Sequence, residues 1–91
     1  MFKTLEELIT TIRQREGSAT EESYTKKLLN NKNLNIEKLK EEIVELIDAI
    51  EKNTNKVHEA ADVLYHLMVL LEANDVKIED VMSELKKRQK K

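Results

Sequence analysis

The sequence predicts an all-α domain, and three observations carry that prediction. Hydrophobic residues make up 40% and charged residues 37% of the chain, with one Gly and no Pro, a composition dominated by helix formers. Apolar side chains recur at i, i+3, i+4 and i+7 in successive segments, which is helical spacing. The breaks between those segments are short and rich in Asn, Asp, Ser and Thr. At 91 residues the chain is one domain, 1–91, with a modest core. The expected architecture is an antiparallel helical hairpin with flanking helices, assembling as a dimeric helix bundle or a higher homo-oligomer.

Each element follows from local signals. Thr4 and Glu7 have capping-box spacing, and Leu5, Leu8, Ile9 and Ile12 follow at helical intervals, so a first helix is expected from about Leu5 to Arg15. Residues 17–22, GSATEE, read as a loop. Ser23 is an N-cap for a short helix, YTKKLLNN, that the Asn-rich stretch NNKNLN ends. Asn35 is then expected to cap the clearest helix, in which Ile36, Leu39, Ile43, Leu46, Ile47 and Ile50 keep one face apolar. KNTN, residues 52–55, is a turn short enough to make its flanking helices antiparallel neighbours.

The second arm, from about Lys56 to Ala73, is apolar around most of its circumference and should touch more than one neighbouring helix. Asn74 and Asp75 interrupt it. A last helix carries Ile78, Val81, Met82 and Leu85 and trails into the basic end KKRQKK, which suits a C-terminal helix dipole. There is no internal repeat and no low-complexity linker.

Composition also excludes function classes. Without Cys there are no disulfides, thiolate metal sites or thiol nucleophiles, which is compatible with the cytoplasm as the expected location. The N-terminal segment lacks the features of a signal peptide, and no apolar run reaches membrane-spanning length, so no membrane role is expected. With 16 basic against 18 acidic residues, a net charge of −2 gives no broad electrostatic reason to hold nucleic acid.

The acids carry the chemistry. At about 100° per residue, Glu42 and Glu45 lie side by side on the helix before the turn, and Glu59 and Asp62 lie side by side on the helix after it, continued one turn later by His66. Two such pairs can face each other across the hairpin. Converging carboxylates repel one another unless a hard cation sits among them, and an oxygen-only donor set suits Mg²⁺, or Mn²⁺, better than Zn²⁺. Because Mg²⁺ keeps positions for water and phosphate oxygens, such a cleft points to phosphate-anhydride chemistry. Taken singly these residues have plainer readings: Glu41, Glu42 and Glu45 as a solvated face, His66 as a hydrogen-bonded core histidine, His58 as a surface residue, and Tyr65 and Met68 as packing. Spacing alone leaves Tyr24 undecided.

EEIVE at 41–45 followed by EAAD at 59–62 resembles the signature of the all-α, MazG-type nucleotide pyrophosphohydrolases. The F-x-x-L-x-x-x-I-x-x-R pattern from Phe2 to Arg13, SYTKKLL, K-x-x-EE-x-x-E from Lys38 to Glu45, EAADVLYHLMVLL and IEDVMSEL resemble one branch, phosphoribosyl-ATP pyrophosphohydrolase of histidine biosynthesis. The resemblance implies Mg²⁺-dependent hydrolysis of 1-(5-phosphoribosyl)-ATP to 1-(5-phosphoribosyl)-AMP and pyrophosphate, in a cytoplasmic homodimer. It further implies Glu42, Glu45, Glu59 and Asp62 as metal ligands, Glu41 beside them as a second acid or water-orienting base, and catalysis by Glu41, Glu42 and Glu45. Arg13, Lys38, Ser23, Tyr24 and Thr25 would contact phosphates or the sugar and base.

Two departures stand out: Thr20-Glu21-Glu22 where the family usually has a Pro, and Lys40 where it often has a Gly. Neither removes a carboxylate. Members are often fused behind a phosphoribosyl-AMP cyclohydrolase domain, to which nothing here corresponds, so the chain is read as the stand-alone form or an excised piece. The alternative functions are a house-cleaning nucleoside triphosphate pyrophosphohydrolase using the same acids, or a non-catalytic helical dimerisation module.

Overall fold

A computed structural model describes residues 2–17 and 23–89. Among them run five helices: α1 (Lys3–Gly17), α2 (Tyr24–Leu29), α3 (Lys32–Lys52), α4 (Lys56–Ala73) and α5 (Ile78–Arg88). The all-α prediction holds. The loop expected over residues 17–22 lies outside the described residues apart from Gly17, which ends α1.

Helix α1 starts earlier than the capping-box spacing suggests. Thr4 already lies inside it, and the amide of Glu6 donates to the carbonyl of Phe2 at 3.2 Å. Ser23 caps α2 as expected, its Oγ accepting from the Lys26 amide at 3.1 Å. The N-cap of α3 is Asn31, whose Oδ1 accepts from the Leu34 amide at 3.1 Å, and not Asn35. Asn35 is fully buried within α3. Either Asn could cap by chemistry alone, and beginning at Asn31 lets the chain gain an extra helical turn that packs inward.

With a single Gly available, Asn and Asp take the left-handed positions that close the two long helices. Asn53 (φ 58°) follows α3, its amide donating to the Ile50 carbonyl at 3.3 Å and that of Thr54 to Ala49 at 3.0 Å. Asp75 (φ 58°) repeats the arrangement after α4: its amide reaches Glu72 at 3.2 Å, and that of Val76 reaches Leu71 at 2.9 Å. Both are the paired bonds of a Schellman ending, which satisfy carbonyls a helix end would otherwise leave free. The turn between α3 and α4 therefore folds α4 straight back along α3.

The core gathers at one end of this hairpin. Ile9 and Ile12 of α1, Leu28 of α2 and Met68 and Val69 of α4 are buried together, with Leu5, Leu8, Leu34, Leu67 and Ile78 packed around them. At the other end the apolar face of the hairpin is bare: Ile43, Val44, Ile47 and Ile50 of α3 and Val57 and Leu64 of α4 are all exposed, Val57 at 85%. The radius of gyration, 14.4 Å, exceeds the roughly 12 Å of a compact chain of this length. The hairpin projects beyond the core that one subunit supplies.

Candidate metal and substrate site

The hairpin brings the predicted acids together. Glu42 and Glu45 of α3 and Glu59 of α4 each offer a carboxylate oxygen, all within 4.8 Å of one another. Glu59 also belongs to a second group at the same spacing, with Asp62 and His58. Glu59 thus links the pair on α3 to Asp62. His58, read from sequence as a surface residue, is indeed exposed, yet its Nε2 lies 3.4 Å from Asp62 Oδ2.

The electrostatics match crowded carboxylates. Loss of solvent, followed by the charges of Glu45 and Asp62, pushes the Glu42 carboxyl above its ordinary value, and His66 opposes this only in its protonated form. Loss of solvent and then Glu45 likewise raise Glu59, with His58 opposing. Glu42 Oε2 and Glu59 Oε2 are both shut off from solvent without a hydrogen-bond partner among the described residues. A buried carboxylate oxygen with no donor is costly unless a cation takes it, so these residues suit a hard, oxygen-preferring ion.

Other predicted site residues fall around this cluster. Lys38 Nζ lies 3.5 Å from Glu41 Oε2, with Lys38 half-buried and Glu41 exposed, so Glu41 sits at the rim, paired with a lysine, and not among the clustered acids. Tyr24, Thr25 and Ser23 stand at the start of α2. The Tyr24 hydroxyl is 3.0 Å from His66 Nε2, and Thr25 Oγ1 is hydrogen-bonded to the Tyr65 hydroxyl. Consecutive residues of α2 therefore engage consecutive residues of α4. Burial raises the Tyr24 hydroxyl above its usual pKa, the positive charge of Lys38 opposes, and Tyr65, Glu42 and Glu41 add to the rise.

Arg13 is placed differently. Its Nε and one terminal nitrogen meet the two oxygens of Glu72 at 2.9 and 3.2 Å, and its two terminal nitrogens meet Glu79 at 3.1 and 2.8 Å. The guanidinium is spent on a clamp joining α1 to α4 and α5, at a position ten residues, roughly 15 Å of helix, beyond Asp62. Sequence spacing gave no sign of Glu72 and Glu79 as its partners. The bonds between α2 and α4 were equally out of view.

An all-α fold with oxygen donors converging between the arms of a helical hairpin defines the class: a helical protein built around a cation-suited acidic cleft. Within that class, residues 5–89 match the family described as phosphoribosyl-ATP pyrophosphohydrolase, and the chain belongs to it. A phosphoribosyl-ATP pyrophosphatase of Rhodobacter capsulatus is 46% identical over 87 residues, covering 92% of this chain and 84% of that protein. One of Haloarcula marismortui is 39% identical over 89 residues, covering 92% of this chain and 91% of its own length. The histidine biosynthesis bifunctional protein HisIE of Pyrococcus furiosus is 42% identical over 91 residues, and the match spans 42% of that longer protein.

Proposed function

We propose that this chain hydrolyses 1-(5-phosphoribosyl)-ATP to 1-(5-phosphoribosyl)-AMP and pyrophosphate, the second step of histidine biosynthesis, in the cytoplasm. The observation that carries the reading is the meeting of Glu42, Glu45 and Glu59 within 4.8 Å, with two orphaned buried oxygens, in a chain of this family. Glu42, Glu45, Glu59 and Asp62 would hold Mg²⁺, with Mn²⁺ able to replace it. When bound, the ion neutralises charge gathering on the pyrophosphate and acidifies a water for attack on phosphorus.

The protein's own groups do the rest. Lys38, on the rim beside Glu41, is positioned to draw in the polyphosphate, and Glu41 to orient water or accept its proton. Ser23, Tyr24 and Thr25, at the start of α2, would contact phosphates or the sugar and base. Arg13 reaches substrate only by leaving Glu72 and Glu79. Two copies would join through the bare face of Ile43, Val44, Ile47 and Ile50, because a patch of that kind on so small a chain favours self-association.

The test is pyrophosphate release from phosphoribosyl-ATP and from ATP, each with and without Mg²⁺. Faster Mg²⁺-dependent release from phosphoribosyl-ATP is expected. A preference for ATP would favour a house-cleaning triphosphatase, and no release from either would favour a non-catalytic module.

A further inference from the structure

The hydrogen-bond chain from α4 to Tyr24 has a fixed direction. His66 is buried, and its Nδ1 lies 2.8 Å from the backbone carbonyl of Asp62. A carbonyl oxygen only accepts, so Nδ1 carries the proton, and in the neutral imidazole Nε2 is left as an acceptor. The Tyr24 hydroxyl, 3.0 Å from Nε2, must then donate to it. Its single proton is used, and what remains for the cleft is a phenolic oxygen with lone pairs.

The ring is held as well as the hydroxyl. Tyr24 stacks on Tyr65 with centroids 6.2 Å apart at 18°, and meets the edge of His66 at 5.8 Å and 78°. Tyr65 is itself hydrogen-bonded to Thr25. Yet Tyr24 remains 47% exposed, so the side chain is held by its neighbours without being enclosed by them.

We propose that Tyr24 is a specificity-determining residue that accepts a hydrogen bond from a donor on the nucleoside part of the substrate, a ribose hydroxyl or the adenine amino group, and does not bind the phosphate chain. This deepens the reading of the chain as a phosphoribosyl-ATP pyrophosphohydrolase and rests on it. Phosphate oxygens in a metal-bound polyphosphate carry no proton to offer, so they would meet the Tyr24 oxygen lone pair to lone pair. His66, which fixes the direction, is a positioning residue.

Tyr24→Phe removes the oxygen and keeps the ring. The dissociation constants of the two products, phosphoribosyl-AMP and pyrophosphate, are to be measured for wild type and variant at about pH 8, above the usual histidine range, with Mg²⁺ in excess. Only phosphoribosyl-AMP carries hydroxyl and amino donors. The variant should bind it about three- to tenfold more weakly, the loss of one neutral hydrogen bond, and should bind pyrophosphate within about twofold of wild type. Repeating the phosphoribosyl-AMP measurement with its deoxyribose and inosine counterparts tells the sugar from the base, since the wild-type advantage over Phe vanishes for the analogue lacking the donor. Equal weakening for both products, weakening for pyrophosphate alone, or no change for phosphoribosyl-AMP would each overturn the proposal. A wild type that turns over phosphoribosyl-ATP but shows one of those patterns overturns this inference alone, whereas an inactive wild type removes the reading beneath it.

Discussion

Arg13 Nε lies 2.9 Å from Glu72 Oε1, in a pair whose carboxylate side chain is only 3% exposed. Glu72 is one of three buried polar or charged residues among those described, and Arg13 is its cation. Replacing Arg13 with Ala would strand that carboxylate at the junction of α1 and α4, and a buried charge left unpaired is strongly destabilising. Arg13→Ala should therefore lower the melting temperature by at least about 5 °C, with less effect on KM than on stability. A variant that melts like wild type but binds substrate poorly would return Arg13 to the phosphate.

The other half of the clamp gives a pH dependence. Hydrogen bonding to Arg13 lowers the Glu79 carboxyl from its ordinary 4.5 to about 2. A depressed carboxyl stabilises the fold above its unfolded value and loses that contribution as pH falls through the folded one. Glu79→Gln should then melt below wild type by a constant margin at neutral pH, and the margin should close between pH 4.5 and about 2. Thermal melts of the two proteins across that range check it. A margin that widened on acidification would have the wrong sign.

Neutralising the acid cluster should separate activity from stability. Glu45→Gln, Glu59→Gln or Asp62→Asn should each reduce turnover on the order of a hundredfold or more, because the ion and the charge it neutralises are both affected. In metal-free buffer the same changes relieve repulsion among carboxylates, so the melting temperature should stay level or rise. Added Mg²⁺ should stabilise wild type, by about 2.7 kcal/mol at a hundred times its Kd, and the variants less. Variants that melt far below wild type without metal would make these acids partners of basic residues.

The bare face of α3 predicts assembly. Ile47 is 54% exposed at its centre, and a charge there should oppose association of two copies. Sedimentation at micromolar concentration should give a dimer for wild type and a smaller species for Ile47→Asp. A wild type that sediments as a compact monomer would contradict the assembly.

Much of this was legible in the sequence where the signal is local. The bounds of α4 could be read from KNTN and from Asn74-Asp75, because a chain with one Gly must use Asn and Asp wherever a helix ends left-handed. The acid pairs could be placed on facing stripes from helical spacing and a short turn alone. The cap of α3 could not: Asn30, Asn31, Asn33 and Asn35 are similar in capping chemistry, and what separates them is that Asn35 faces a packed interior. That interior leaves both polar atoms of the Asn35 side chain without a hydrogen-bond partner among the described residues. The clamp on Arg13 and the bond from Tyr24 to His66 join residues 59, 66 and 42 positions apart, and no periodicity reports such distances.

If Glu42, Glu45, Glu59 and Asp62 together hold a divalent ion, Mn²⁺ makes it directly visible. Crystals grown with Mn²⁺ should show anomalous difference density between α3 and α4, about 2.0–2.4 Å from oxygens of Glu42, Glu45 and Glu59, with Asp62 contributing to the same or an adjoining ion. Density confined to other surface acids, or none in the hairpin at a concentration that supports full turnover, would contradict it.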